Sequence, residues 1–99
     1  MTLEFHPAVQ QDFNAAIDYY AAEGGGHLAD RLEAEMRDCL AAIKSEPRQF
    51  AFYQGTTAFR RIRLRHFPYV VVYREKLDVV RVTIFKHEKR HPRFGMNRW

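Results

Sequence analysis

The chain has one cysteine, Cys39, and one serine, Ser45. A lone cysteine excludes an internal disulfide framework; Cys39 falls in a helical pattern and is expected as a small buried side chain in a reducing, cytoplasmic setting. A single serine at a helix end offers no Ser-His-Asp arrangement. No apolar run approaches the ~18 residues that a membrane span needs. The opening MTLEFHPAVQ lacks a basic stretch followed by an apolar core, so no secretory signal is expected. Gly24, Gly25 and Gly26 have neither a strand before them nor a Lys-Ser/Thr after them, so they are no phosphate cradle. His87 and His91 stand four apart, but a zinc centre needs further ligands and His66 and His6 are distant in sequence; no metal and no cofactor are expected.

Acidic residues are scarce in one half. Residues 57–99 hold 12 Lys/Arg against Glu75, Asp78 and Glu88, a balance of +9. Residues 1–56 hold 4 Lys/Arg against 9 Asp/Glu, a balance of −5. A positive C-terminal half draws phosphate backbone or an acidic protein by long-range attraction; the simpler reading is a solvated basic face that keeps the protein soluble. The 99 residues, 46% hydrophobic and 14% aromatic, make one globular domain spanning 1–99. At that size folding buries roughly two-thirds of the unfolded chain's surface.

Periodicity supplies the elements. Thr2 to Phe5 reads as a strand, and Pro7 suits the first position of a helix. Val9, Phe13, Ala16, Ile17 and Tyr20 form one apolar stripe, interrupted at the three glycines. The stripe resumes with Leu28, Leu32, Met36, Cys39, Leu40 and Ile43 and closes before Pro47, giving an antiparallel helical hairpin. Residues 46–57 read as a loop whose Phe50, Phe52 and Tyr53 either anchor it to the core or offer a stacking platform for bases.

Strands are expected over 58–65, 69–74 and 79–86. On the first, Arg61, Arg63 and Arg65 alternate with Ile62 and Leu64; on the third, Val80, Val82 and Ile84 alternate with Arg81, Thr83 and Phe85. The predicted fold is α+β, ordered β-α-α-β-β-β, with the helical hairpin packed on one face of a small curved antiparallel sheet and the cationic face left largely uncovered.

That cationic face carries the candidate site: Arg61, Arg63, Arg65, Arg81, Lys86, His87, Lys89 and Arg90, with Tyr69 and Tyr73 on the neighbouring strand. Arginine presents a planar charged fork to phosphate or carboxylate, and an imidazole or phenol carries protons. The set suits a ribonuclease that attacks with the ribose 2′-OH and equally suits a binding surface.

The chain resembles the RelE/ParE superfamily of bacterial type II toxin-antitoxin toxins. The resemblance rests on Phe5-His6-Pro7-Ala8, the Tyr19-Tyr20 pair, Pro47 before an aromatic loop, Phe67-Pro68-Tyr69 leading to Tyr73, and the run Phe85 to Pro92. It implies two helices on a curved sheet. It also implies two activities. RelE-like members cleave messenger RNA on the ribosome with basic sheet residues and a tyrosine near the C-terminus. Here the last tyrosine is Tyr73, and the tail offers Phe94 and Trp99.

The helix pair and the Phe-Pro-Tyr turn more closely resemble the ParE branch, whose members poison DNA gyrase. The family's histidine-to-arginine tail motif maps to His87 and Arg90; His91 stands where an acidic residue is common, and no role is assigned to it. The resemblance implies a growth-arresting toxin that binds gyrase and is masked by an antitoxin with an acidic amphipathic segment. On that reading Arg61, Arg63, Arg65, Tyr73, Arg81, Lys86, His87 and Arg90 meet target or antitoxin. The alternatives are a ribosome-dependent endoribonuclease using Arg61, Arg63, Arg81, His87 and Arg90, and a non-catalytic nucleic-acid-binding module or inactive relic.

Overall fold

The chain begins with β1 (Thr2–Phe5) and passes through His6 into α1 (Pro7–Ser45). His6 caps this helix, its Nδ1 accepting the Ala8 N–H at 3.1 Å, while Pro7 occupies a position where no N–H is required. β2 (Arg60–Arg63), β3 (Tyr69–Lys76) and β4 (Val79–His87) follow. This is a computed structural model, and it describes residues 1–98, so Trp99 lies outside the described residues.

Within α1 the backbone leaves the helical conformation at Gly25, with φ 77° and ψ −176°, and this kink divides α1 into two arms. A straight helix of 39 residues would run roughly 58 Å at about 1.5 Å per residue. The molecule's longest dimension is 40 Å. The two arms therefore fold back, and Val9 and Phe13 of the first line one cleft with Met36 and Leu40 of the second. This is the expected hairpin, with its reversal at the glycines.

The arms bury Val9, Ala16, Leu32, Met36, Cys39 and Ile43 against Leu64, Val71, Tyr73, Val80, Val82 and Phe85. Burial pushes the Cys39 thiol up to about 11, which leaves it a packing group. Glu35, on the second arm, ties the hairpin to the end of β2: one carboxylate oxygen accepts the Arg65 and His66 N–H groups at 3.0 and 3.1 Å.

The sheet order is β1-β4-β3-β2. Both β2 and β4 run antiparallel to β3, but β1 runs parallel to β4, with Thr2 opposite Val79 and Phe5 opposite Val82. The expected wholly antiparallel sheet is thus corrected to a mixed one. The helical hairpin returns the chain so that β1 is the fourth strand's neighbour, and residue alternation carries no sign of strand direction.

A second correction concerns β4. Val72 pairs with Ile84 and Tyr73 with Val82, which leaves Thr83 as an inserted residue, a β-bulge. The bulge reverses the alternation beyond it. Val80 and Val82 face the hairpin, as does Phe85, whereas Ile84 faces the other way with Val72. The Thr83 carbonyl accepts from Arg98 Nη1 at 3.1 Å, and the same guanidinium nitrogen meets Asp12 at 3.0 Å.

The face away from the hairpin is not left open, as the alternation suggested. Tyr53 from the loop, together with Phe59, Phe94 and Met96, roofs Val72 and Ile84 in a second small core. The Tyr53 hydroxyl donates to the Pro92 carbonyl at 2.9 Å and so ties loop to tail. β2 is also shorter than expected, which puts Arg65 beyond its end.

Candidate functional site

Because β2 and β3 pair Arg61 with Val72 and Arg63 with Val70, both arginines project from the sheet face opposite the hairpin. Beyond the bulge, Lys86 and Glu88 project there too. The loop and tail roof only part of this face. What remains is a groove of about 310 Å³ lined by Phe52, Tyr53, Gln54, Arg61, Arg63, Val70, Lys86, Glu88 and Pro92.

The groove's charges are unevenly held. Arg63 Nη2 lies 2.6 Å from a Glu88 carboxylate oxygen, and this hydrogen bond holds the Glu88 carboxyl below the usual carboxylate range. Arg63 remains 60% exposed, so water keeps the pair exchangeable. Arg61 makes no ion pair among the described residues. Lys86 is only 5% exposed. Its Nζ donates to the Arg90 carbonyl at 3.0 Å and lies 5.8 Å from the centre of the Tyr53 ring. Burial lowers its pKa, and Arg90 adds to the effect. At the rim the Arg60 guanidinium stacks 4.0 Å over Phe52, which is 44% exposed.

Of the eight residues singled out by sequence, the groove brings together Arg61, Arg63 and Lys86. Arg65 lies near the second helical arm with Glu35 and His66. Arg81 stands toward β1, its Nη1 3.2 Å from Glu4, and does not line the groove. His87 is on the hairpin side, edge-on to Tyr69 at 5.4 Å, with Nδ1 accepting the Lys89 N–H at 3.1 Å. Arg90 lies 4.4 Å over the Phe94 ring. Tyr73 is fully buried; its hydroxyl donates to the Pro47 carbonyl, and burial pushes the phenol up to about 12. It braces the loop and presents nothing to a partner.

The expectation of an evenly cationic, open face is therefore corrected. Arg63 and Arg81 each hold a carboxylate of this chain, and the cations separate into different places. Sequence reasoning did not single out Glu88, Gln54, Val70 or Pro92. Glu88 carried a usable signal: it is the lone carboxylate between Arg81 and Arg98, two residues from Lys86 and hence on its face. Among the described residues no three His, Cys, Asp or Glu side chains are placed to hold a metal ion. No helix is long and apolar enough to cross a membrane, again among the described residues.

A groove with three cations, one exchangeable carboxylate and apolar walls suits binding to an anionic, partly apolar surface. For acid–base chemistry the geometry is poor. The proton-carrying candidate His87 is across the sheet from Arg61 and Arg63.

Residues 3–92 match the model of a family described as "ParE toxin of type II toxin-antitoxin system, parDE". Among solved structures the chain is similar to one described as "Chromosomal ParDE TA system from P. aeruginosa". The TM-score is 0.77 and the identity 17%, over 88% of this chain and 95% of the other. That likeness covers the α+β architecture of helices on a four-stranded sheet. None of the curated proteins matches the chain.

Proposed function

Since this chain belongs to the ParE toxin family of type II toxin-antitoxin systems, we propose that it arrests growth in the cytoplasm by binding DNA gyrase, not by cutting RNA, and that a cognate antitoxin neutralises it. The observation that carries this reading is the dispersal of the ribonuclease set. Of Arg61, Arg63, Arg81, His87 and Arg90, only the first two share the groove, and the imidazole lies behind the sheet with Nδ1 engaged by the Lys89 N–H. General acid–base catalysis needs its groups within hydrogen-bond reach of one reacting centre. Binding needs only complementary charge and shape. The antitoxin is supported by the solved neighbour, which is described as a ParDE system.

The test is a supercoiling assay on purified gyrase, run beside primer extension on messenger RNA after induction of the chain in cells. Loss of supercoiling at concentrations that stop growth, with intact transcripts, is the expected result. Untouched supercoiling together with codon-located cuts would overturn it in favour of a ribosome-dependent ribonuclease.

A further inference from the structure

Lys86 is a buried cation with no carboxylate beside it among the described residues. An ammonium withdrawn from water is ordinarily matched by an anion, because a single neutral hydrogen bond compensates only part of its lost hydration. Here one carbonyl, that of Arg90, and the face of Tyr53 are what the described chain supplies. The side chain lines the same groove as Arg61 and Arg63, so three positive groups converge on a space of about 310 Å³. Glu88 already sits there, its carboxylate against Arg63. It shows the chemistry that the groove accepts, and it engages one of the three cations.

We propose that the groove is a carboxylate-binding site for an acidic, partly apolar segment of a partner protein, and that Glu88 is an internal placeholder that this segment displaces from Arg63. The inference rests on the antitoxin reading above and names the surface that the antitoxin occupies. An entering glutamate or aspartate side chain pairs with Arg61 and the Lys86 ammonium. Apolar side chains next to it lie on Phe52, Val70 and Pro92. Arg63 exchanges Glu88 for the incoming carboxylate, and Glu88 returns to solvent. A peptide is favoured over a nucleic acid on two grounds: the groove already holds a carboxylate in place, and its walls include Val70 and Pro92, which give a phosphodiester chain nothing.

The test uses the purified full chain and a synthetic 12-residue peptide of alternating glutamate and leucine, with a 12-nucleotide polyuridine as the competing arm, by calorimetry at two salt concentrations. Lys86→Met keeps the side chain's length and removes its charge; it is expected to weaken peptide binding at least tenfold. Glu88→Gln is expected to strengthen it severalfold, since the placeholder no longer competes. Lys44→Gln, an exposed residue at the end of the helix, is expected to change nothing beyond the effect of net charge.

Glu88 is exposed, so its variant remains informative even where Lys86→Met fails to fold. Absence of peptide binding, an unchanged Glu88→Gln affinity, or tighter binding of polyuridine with the same variant pattern would each overturn the proposal. Because no step of this assay measures growth or supercoiling, its failure is distinct from failure of the toxin reading.

Discussion

Phe85→Ala is expected to remove about 3–5 kcal/mol of folding stability, the range for deleting a buried aromatic ring. Phe85 is 1% exposed, stacked on Tyr69 with ring centres 4.7 Å apart and planes 10° from parallel. The Phe13 ring stands 80° to it, with ring centres 5.3 Å apart. Tyr69 in turn contacts Tyr20, which sits against Phe67. Removing the ring therefore opens a cavity at the centre of an aromatic cluster that joins the first helical arm to β3 and β4.

For a domain of this size total stability is about 5–15 kcal/mol, and each kcal/mol corresponds to roughly 4–8 °C in Tm. Thermal unfolding followed by circular dichroism should thus fall by well over 10 °C, or the variant should fail to fold. Simple alternation along β4 put Phe85 with Arg81 on the cationic face; a residue there would lose little on truncation. A change below about 1 kcal/mol would accordingly deny the bulge at Thr83 its role in turning Phe85 inward.

Gly25→Ala is expected to destabilise by about 1–3 kcal/mol through backbone strain alone, because φ 77° with ψ −176° is a conformation that residues with a Cβ scarcely occupy. Its neighbours isolate the cause. An added Cβ at Gly26 meets nothing within 4 Å and no positive φ is involved, so Gly26→Ala should be neutral or stabilise by about 0.4–1 kcal/mol. At Gly24 the added atom would stand 2.6 Å from Leu28 Cδ2 and 2.9 Å from Leu28 Cβ, so Leu28 must shift. Urea unfolding of the three variants should rank Gly25→Ala well below Gly26→Ala, with Gly24→Ala destabilised by repacking of Leu28. Equal effects at positions 25 and 26 would mean that the helical reversal does not depend on the conformation of Gly25.

The hairpin was legible because two 3.6-residue stripes are separated by residues that cannot sustain a helix, and the structure puts the positive φ within that triplet. Arg61 and Arg63 were legible as companions because period-two alternation holds throughout β2. What stayed hidden was tertiary in origin. An inserted residue such as Thr83 has no composition of its own, yet it exchanges the faces of everything beyond it. The parallel pairing of β1 is decided by where the helices return the chain.

The tail reads as basic, but Phe94 and Met96 flank Gly95, whose φ of 75° turns the chain close enough to Ile84 that a Cβ would stand 2.8 Å from its Cγ1. Two apolar side chains about a glycine in a charged tail were the available sign that it folds back. Lys86 was hidden for the same reason. The returning tail and the loop meet its ammonium through the Arg90 carbonyl and the Tyr53 ring.

On this reading the antitoxin lies in the groove on the far side of the sheet from the helices. Amide hydrogen exchange of the chain, alone and bound to its cognate antitoxin, tests it most directly. Added protection is expected at residues 52–54, 61–63 and 86–88, around the displaced Glu88. Protection confined to the helical arms, with those three segments exchanging as in the free chain, would contradict the account.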